Sequence, residues 1–222
     1  MPALTFRVEG AEALPFAAAP TISFRLHVAN ADAAQSIQSV ALRAQILIEA
    51  SRRRYTNGER ESLRDLFGEP DRWSQTLRSL LWTHASTNVP SFSEAVTCEL
   101  AVPCTFDFNV GAAKYFHAIE AQDIPLCFQF SGTIFYSAPD GALQIAQIDW
   151  KNEARFKLSA AVWRDMMDHY YPNSAWLRLR RDAFERLYQY KMNRGLTTWE
   201  EAIESLLSLK EEEGEAAKEA VS

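Results

Sequence analysis

Three cysteines, Cys98, Cys104 and Cys127, are the residues best suited to hold a metal or act as nucleophiles. A structural zinc or iron–sulfur site draws on ligand pairs at short spacing. Here Cys98 and Cys104 are separated by five residues, and no CxxC pair occurs. An odd count without paired spacing also argues against a disulfide framework and fits a reducing compartment. Cys98 alternates in phase with Val96 and Leu100, so the expected role of these thiols is packing rather than ligation.

A second possible metal constellation is "RDMMDH", where Asp165 and His169 are four apart on an expected helix with Asp168 alongside. Bundle metal sites use such spacing from several helices, and no second copy appears. A solvated face opposite Trp163, Met166 and Met167 is the favoured reading. Cys98, Cys104, Cys127, Asp165 and His169, with His117 and Asp107 nearby in sequence, are therefore weak metal candidates.

Nucleotide chemistry finds no motif. The eight glycines are isolated, so neither G-x-G-x-x-G nor G-x-x-x-x-G-K-[ST] occurs, and G-x-S-x-G is also absent. His27, His84, His117 and His169 show no local pattern that would nominate a catalytic pair. No catalytic residue and no cofactor is expected.

Two basic stretches remain. "SRRRYTNGER" sets Arg52, Arg53 and Arg54 at a strand end, facing a phosphate or an acidic partner, although Glu59, Glu61 and Asp65 follow closely. "YYPNSAWLRLRRDAFERLYQYKMNRG" carries six basic groups against Asp182 and Glu185 between residues 174 and 195, a net +4. Residues 196–222 answer with eight glutamates against Lys210 and Lys218, a net −6, so two neighbouring helices can neutralise each other. Nucleic-acid binding, which needs uncompensated positive charge, is unexpected. On a helical wheel, Trp176, Leu179, Ala183, Leu187 and Tyr190 form one stripe, and Leu177, Phe184 and Tyr188 a second. So wide an arc predicts packing on a β core with one stripe and on a helix or partner with the other. Pairs four apart, Arg178–Asp182, Arg181–Glu185 and Asp182–Arg186, leave Arg180 and Lys191 unpaired. Arg180, Lys191, Trp176, Tyr188, Arg52, Arg53 and Arg54 are thus the partner-binding candidates.

These residues must be positioned by elements the periodicity reveals. The chain has 222 residues, 47% of them hydrophobic, and a net charge of −6, enough for one substantial core with an attached lobe. Period-two alternation marks strands at Ile22–Val28, Val40–Ile48 and Val96–Leu100, with Pro103 at an edge or bulge and a resumption through Phe106 and Phe108. A hairpin, Leu126–Tyr136 and Leu143–Trp150, turns at Pro139-Asp140-Gly141. Alternation of this kind favours antiparallel sheets with one wet face, stacked as a sandwich. An insertion at about 55–85 holds a helix over Glu59–Phe67 and a helix-spaced cluster of Trp73, Leu77, Leu80, Leu81 and Trp82. After Leu158 the period becomes helical. Helices are expected over "SAAVWRDMMDHYY", from an Asn173 or Ser174 cap to a left-handed Gly195, and from a Thr198–Glu201 capping box. The expected organisation is α+β: an antiparallel β-sandwich-like domain over 1–157 with a helical insertion, a lobe of three helices over 158–211 packed on it, and a frayed tail over 212–222. No internal repeat, charged-then-apolar leader or long apolar run is visible, which predicts a cytoplasmic protein without a membrane span.

The C-terminal half, with the landmarks SGTIFY, AVWRDMMDHYYPNSAWLRL and GLTTWEEA, and the preceding VPCTFDFNVGAAKYFHAIE, resembles an uncharacterised bacterial family of about 220 residues often encoded near NiFe-hydrogenase genes. That resemblance implies an accessory or assembly role, with a hydrogenase subunit or precursor as protein partner, and transfers no catalytic residue. Three functions compete. The first is a non-enzymatic protein-binding module. The second is a holdase chaperone, whose export-chaperone fold is similar in its long strands and terminal helices, and which would form a homo-oligomer. The third is an enzyme or metal protein using the cysteines with His117 or Asp107, or else a nucleic-acid-binding protein.

Overall fold

A computed structural model describes residues 2–105, 110–119, 122–174, 177 and 179–219, without side chains at 110 and 210–219. Eight strands among these residues form two antiparallel sheets. Sheet A has the order β1-β2-β5, from β1 (Leu4–Ala13), β2 (Thr21–Asn30) and β5 (Ala95–Pro103). Sheet B has the order β4-β3-β6-β7, from β3 (Ile37–Ile48), β4 (Leu80–Val89), β6 (Asp123–Ser137) and β7 (Leu143–Gln147), with β8 (Glu153–Ser159) also paired to β6. The fold class is α+β, as the alternation predicts. Pro103 ends β5 at the edge of sheet A, where its missing N–H costs no ladder bond.

Inward residues of the two sheets meet through rings. Phe6 of β1 stacks on Phe130 of β6 at 4.5 Å, and Phe24 of β2 meets Phe128 at 5.0 Å, Trp82 at 6.0 Å and Phe156 at 6.0 Å. Ile22, Leu26, Val28, Val40, Ile46 and Leu100 fill the space between them and are fully buried. At the sides, β5 runs beside β4 and β1 beside β8.

The long strand β6 organises sheet B. Its first half pairs β8 and its second half pairs β7 on the same edge, while β3 runs along the other edge. Gly132 stands at the changeover opposite Leu42, with φ +141°, and a Cβ there would lie 2.1 Å from the Ala41 carbonyl oxygen. Only glycine allows β3 to approach this closely. The expected strand to Trp150 ends at Gln147. Asp149 then accepts from the Lys151 N–H, and Asn152 returns two bonds to the Asp149 carbonyl, which turns the chain into β8.

The insertion differs in one respect from its sequence pattern. Thr56 caps α1 (Asn57–Ser62) in a capping box with Glu59, α2 (Arg64–Phe67) ends at Gly68 with φ +74°, and α3 (Trp73–Thr76) is one turn long. Leu80, Leu81 and Trp82, expected to be helical with Trp73 and Leu77, belong instead to β4. The ladder with β3 slips between Ile46 and Leu47, which admits Trp82 as an extra inward residue. That bulge resets the strand parity, and the reset imitates helical spacing.

The next described residue after Thr105 is Val110, which opens α4 (Val110–Ala118), and α5 (Ala160–Tyr170) follows β8 directly. A strand expected through Phe106 and Phe108 lies outside the described residues. The chain divides into two compact units, Met1–Ser174 and Ala175–Ser222. The division falls after 174 rather than 157 because α5 packs on β1, β2, β8 and α4. Tyr170 fastens it, donating from Oη between the Leu14 and Ala17 carbonyls at 2.8 and 3.0 Å.

The second unit is a pair of helices, α6 (Arg181–Asn193) and α7 (Trp199–Glu219). Helix α6 starts several residues later than expected. Asn173, at φ +53°, and Ser174, bonded to the Pro172 carbonyl, close the turn after α5 instead of capping the next helix. Its end matches the pattern. Gly195 is left-handed, its N–H donates to the Met192 carbonyl, and Leu196 N–H donates to the Lys191 carbonyl, a Schellman arrangement. Helix α7 continues to Glu219, past residue 212, where a frayed tail is expected.

Candidate functional site

The three arginines after β3 separate. Arg52 stays exposed and pairs with Glu49 at 3.1 Å. Arg54 is exposed, and its carbonyl accepts from Arg53 Nε at 3.3 Å. Arg53 turns inward: Nη2 meets Glu59 Oε1 at 2.7 Å, with side chains only 5% and 1% exposed. Its Nη2 also reaches Gln122 Oε1 at 3.4 Å, and the guanidinium lies 4.9 Å from the centre of the Tyr55 ring. Nη1 is buried without a hydrogen-bond acceptor, so the ring face is its compensation. A docking role for Arg53 would need an exposed guanidinium, and burial withholds it.

Two tyrosines extend this cluster. Tyr55 donates its only hydroxyl proton to the Ala50 carbonyl at 2.6 Å, so in the 2.7 Å contact between the phenols Tyr115 donates and Tyr55 accepts. Burial, reinforced by the adjacent Tyr115 hydroxyl, pushes Tyr55 far above the ordinary phenol range. Burial also raises Tyr115, against the opposing effects of its contact with the Tyr55 hydroxyl and of the Arg53 charge. Both phenols stay neutral at physiological pH and offer no base. Phe67 and Trp73 pack edge-on against them, and Trp73 Nε1 donates to the Gly68 carbonyl at 2.9 Å. The arrangement ties the insertion to α4; chemically it is a lock. Tyr55, Glu59, Tyr115 and Gln122 are not among the expected site residues. The Thr56-x-x-Glu59 spacing was the available signal, since Glu59 there bonds the Thr56 N–H at 2.9 Å.

The thiols occupy separate settings. Cys98 is half-buried on β5 opposite Leu26, and burial followed by the Glu99 charge raises its pKa. Cys104 is buried, donates to the Val102 carbonyl at 3.3 Å and is pushed up to about 12 by burial. Cys127 is buried, donates to Glu153 Oε2 at 3.7 Å and is pushed up to about 11 by burial and then by Glu153 and Glu49. Asp165 is exposed on α5, and His169 gives its Nε2 proton to the Pro15 carbonyl at 3.2 Å, which occupies that nitrogen. Among the described residues no group of three or more His, Cys, Asp or Glu side chains converges on a metal-sized site. Asp107 lies outside the described residues.

In the helical pair, Arg180 is exposed and paired with Asp182 at 2.9 Å, a partner the wheel had assigned to Arg178 and Arg186. Arg178 and Trp176 lie outside the described residues. Arg181 and Glu185 pair at 3.7 Å as expected. Lys191, expected free, sits 5.7 Å from the Trp199 ring at the start of α7. Phe184 and Tyr188 approach the same ring at 5.2 and 6.2 Å, and Tyr190 Oη meets Ser205 Oγ at 2.7 Å. Trp199 is therefore the residue that joins the pair. No residue of α6 is buried, and Phe184, Tyr188, Met192, Leu206 and Leu207 remain exposed.

The fold and these clusters define a two-sheet α+β protein with an appended helical pair. Within that class the chain belongs to the family of unknown function DUF6084, which matches residues 1–215. A comparison with curated proteins finds no match. Similar solved structures include a protein assigned as late embryogenesis abundant (LEA), 12% identical, covering 72% of each chain with a TM-score of 0.31. A protein assigned as ApaA from Bordetella pertussis is 12% identical over 71% of this chain and 93% of that one, with a TM-score of 0.25. The β-glucosidase of Kluyveromyces marxianus is 8% identical over 71% of this chain but only 15% of that enzyme, with a TM-score of 0.26. Likeness at this level says nothing of function. Among the described residues no helix is long and apolar enough to cross a membrane.

Proposed function

We propose that this is a non-enzymatic accessory protein that holds a protein partner on its α6–α7 pair, and that the partner is a NiFe-hydrogenase subunit or its precursor. The observation that supports the reading is the exposed set Phe184, Tyr188, Met192, Leu206 and Leu207, of which the aromatic and methionine members are the types enriched at interface cores. Arg180 at the N-cap of α6 and Arg181 in its first turn, paired with Asp182 and Glu185, add exposed charge of both signs near the start of that helix and suit a mixed-charge border on the partner. The hydrogenase assignment rests on the sequence resemblance alone.

The test is retention of purified hydrogenase subunits by the immobilised full chain, with Met192→Glu as the control. Met192 is exposed, so the variant should keep the wild-type melting temperature and lose binding at least tenfold. Failure to retain any hydrogenase subunit, or equal retention by Met192→Glu, overturns the proposal. Suppression of aggregation of an unrelated unfolded client would move the function to a holdase.

A further inference from the structure

The open edge of sheet B belongs to β7. Its ladder with β6 can be followed hydrogen bond by hydrogen bond. Ala138 N–H donates to the Ala142 carbonyl and Ile148 N–H to the Gly132 carbonyl, both in the same register as the pairs Tyr136–Gln144 and Ile134–Ala146. Bonded and non-bonded pairs alternate in an antiparallel ladder. Residues 142, 144, 146 and 148 therefore bond to β6, and Leu143, Ile145 and Gln147 turn their N–H and C=O groups away from it. No other strand among the described residues pairs with β7. The same three residues are exposed, Leu143 at 64% and Ile145 at 63%.

Natural edges are usually blunted by a lysine, a proline, an inward charge or a covering loop. The segment Leu143-Gln144-Ile145-Ala146-Gln147 has no charge and no proline. β5 lies beside β4 and β1 beside β8, so among the described residues β7 is the edge strand without a neighbouring strand on its outer side.

We propose that this edge pairs with β7 of a second copy of the chain, antiparallel about a two-fold axis through Ile145. The free groups fall at 143, 145 and 147, symmetric about Ile145, so each finds its counterpart: Leu143 opposite Gln147 of the second copy, and Ile145 opposite its own equivalent. The contact is isologous and closes after two subunits. The absence of charge on β7 means that no like-charged pair is created within the joined strands, despite the net charge of −6. Five residues a side make an interface below the standard size, so the association is expected to be weak and to develop across the micromolar to millimolar range. The surface is distinct from the α6–α7 pair, so the two proposals fail separately.

Sedimentation equilibrium of the full chain tests it. The wild type should pass from monomer to dimer over that range, with slowed exchange of the Ile145 amide in the dimer. Ile145→Lys and Ile145→Glu, each placing like charges opposite one another on the axis, should be monomeric, and their equimolar mixture should dimerise. Should either misfold, Leu143→Glu with Gln147→Glu puts like charges in both outer pairs and should also be monomeric. A wild type that stays monomeric to about 1 mM, a dimer unaffected by these substitutions, a mixture that fails to associate, or a monomer whose β7 edge accepts only a peptide of another protein would each overturn the proposal.

Discussion

Arg53 Nη2 and Glu59 Oε1 lie 2.7 Å apart with both side chains withdrawn from water, so each charge depends on the other. Removing one partner strands the remaining charge, which costs far more than the pair itself contributes. Glu59→Ala should lower the unfolding free energy by about 3–5 kcal/mol, read by urea denaturation. Arg53→Met with Glu59→Leu should cost clearly less than the sum of the single changes, and an additive double variant would contradict the coupling.

Gly132→Ala tests the close pairing of β3 and β6. The added Cβ would meet a backbone oxygen that cannot rotate away, and the residue would carry a φ that L side chains rarely adopt. A loss of about 3 kcal/mol or more is expected from strain and overpacking together, measured as a fall in melting temperature.

The Glu201 carboxylate accepts N–H bonds from Thr197 and then Thr198, which lower its pKa below the usual carboxylate value. A carboxylate depressed in the folded state stabilises above its unfolded pKa, and the contribution is lost as pH falls through the folded value. The Thr197 and Thr198 amide resonances should therefore titrate below the ordinary glutamate range, and Glu201→Gln should abolish that titration. An unshifted midpoint would show that the cap is not formed.

Thiol labelling follows burial. With Cys104 at about 12 and Cys127 at about 11, both are almost entirely thiol at pH 8 and should resist iodoacetamide in the native protein. Cys98, half-buried, should react first though slowly, and all three should label rapidly in urea. Native labelling of Cys104 ahead of Cys98 would contradict these settings.

Several features were legible because they are written locally. The hairpin turn at Asp140-Gly141, the Thr198–Glu201 box and the left-handed Gly195 each depend on residues within a few positions of one another. The candidate site was less legible. Arg53 reads like its neighbours Arg52 and Arg54, and only the capping-box spacing of Thr56 and Glu59 hinted that a carboxylate would sit under it. Lys191 looked unpaired because its partner is an aromatic face, which charge counting ignores.

The sequence by itself determined the two antiparallel sheets, the late change to helical period and the membership in DUF6084, because alternation, caps and turns act within a single element. Tertiary structure alone decided that Trp82 enters the core through a bulge, that Arg53 turns inward to Glu59, and that Tyr115 reaches Tyr55 across 60 positions of sequence. It alone decided which backbone groups of β7 stay free. Contacts of this kind depend on the register between distant segments, and register is settled by the packing of the whole core.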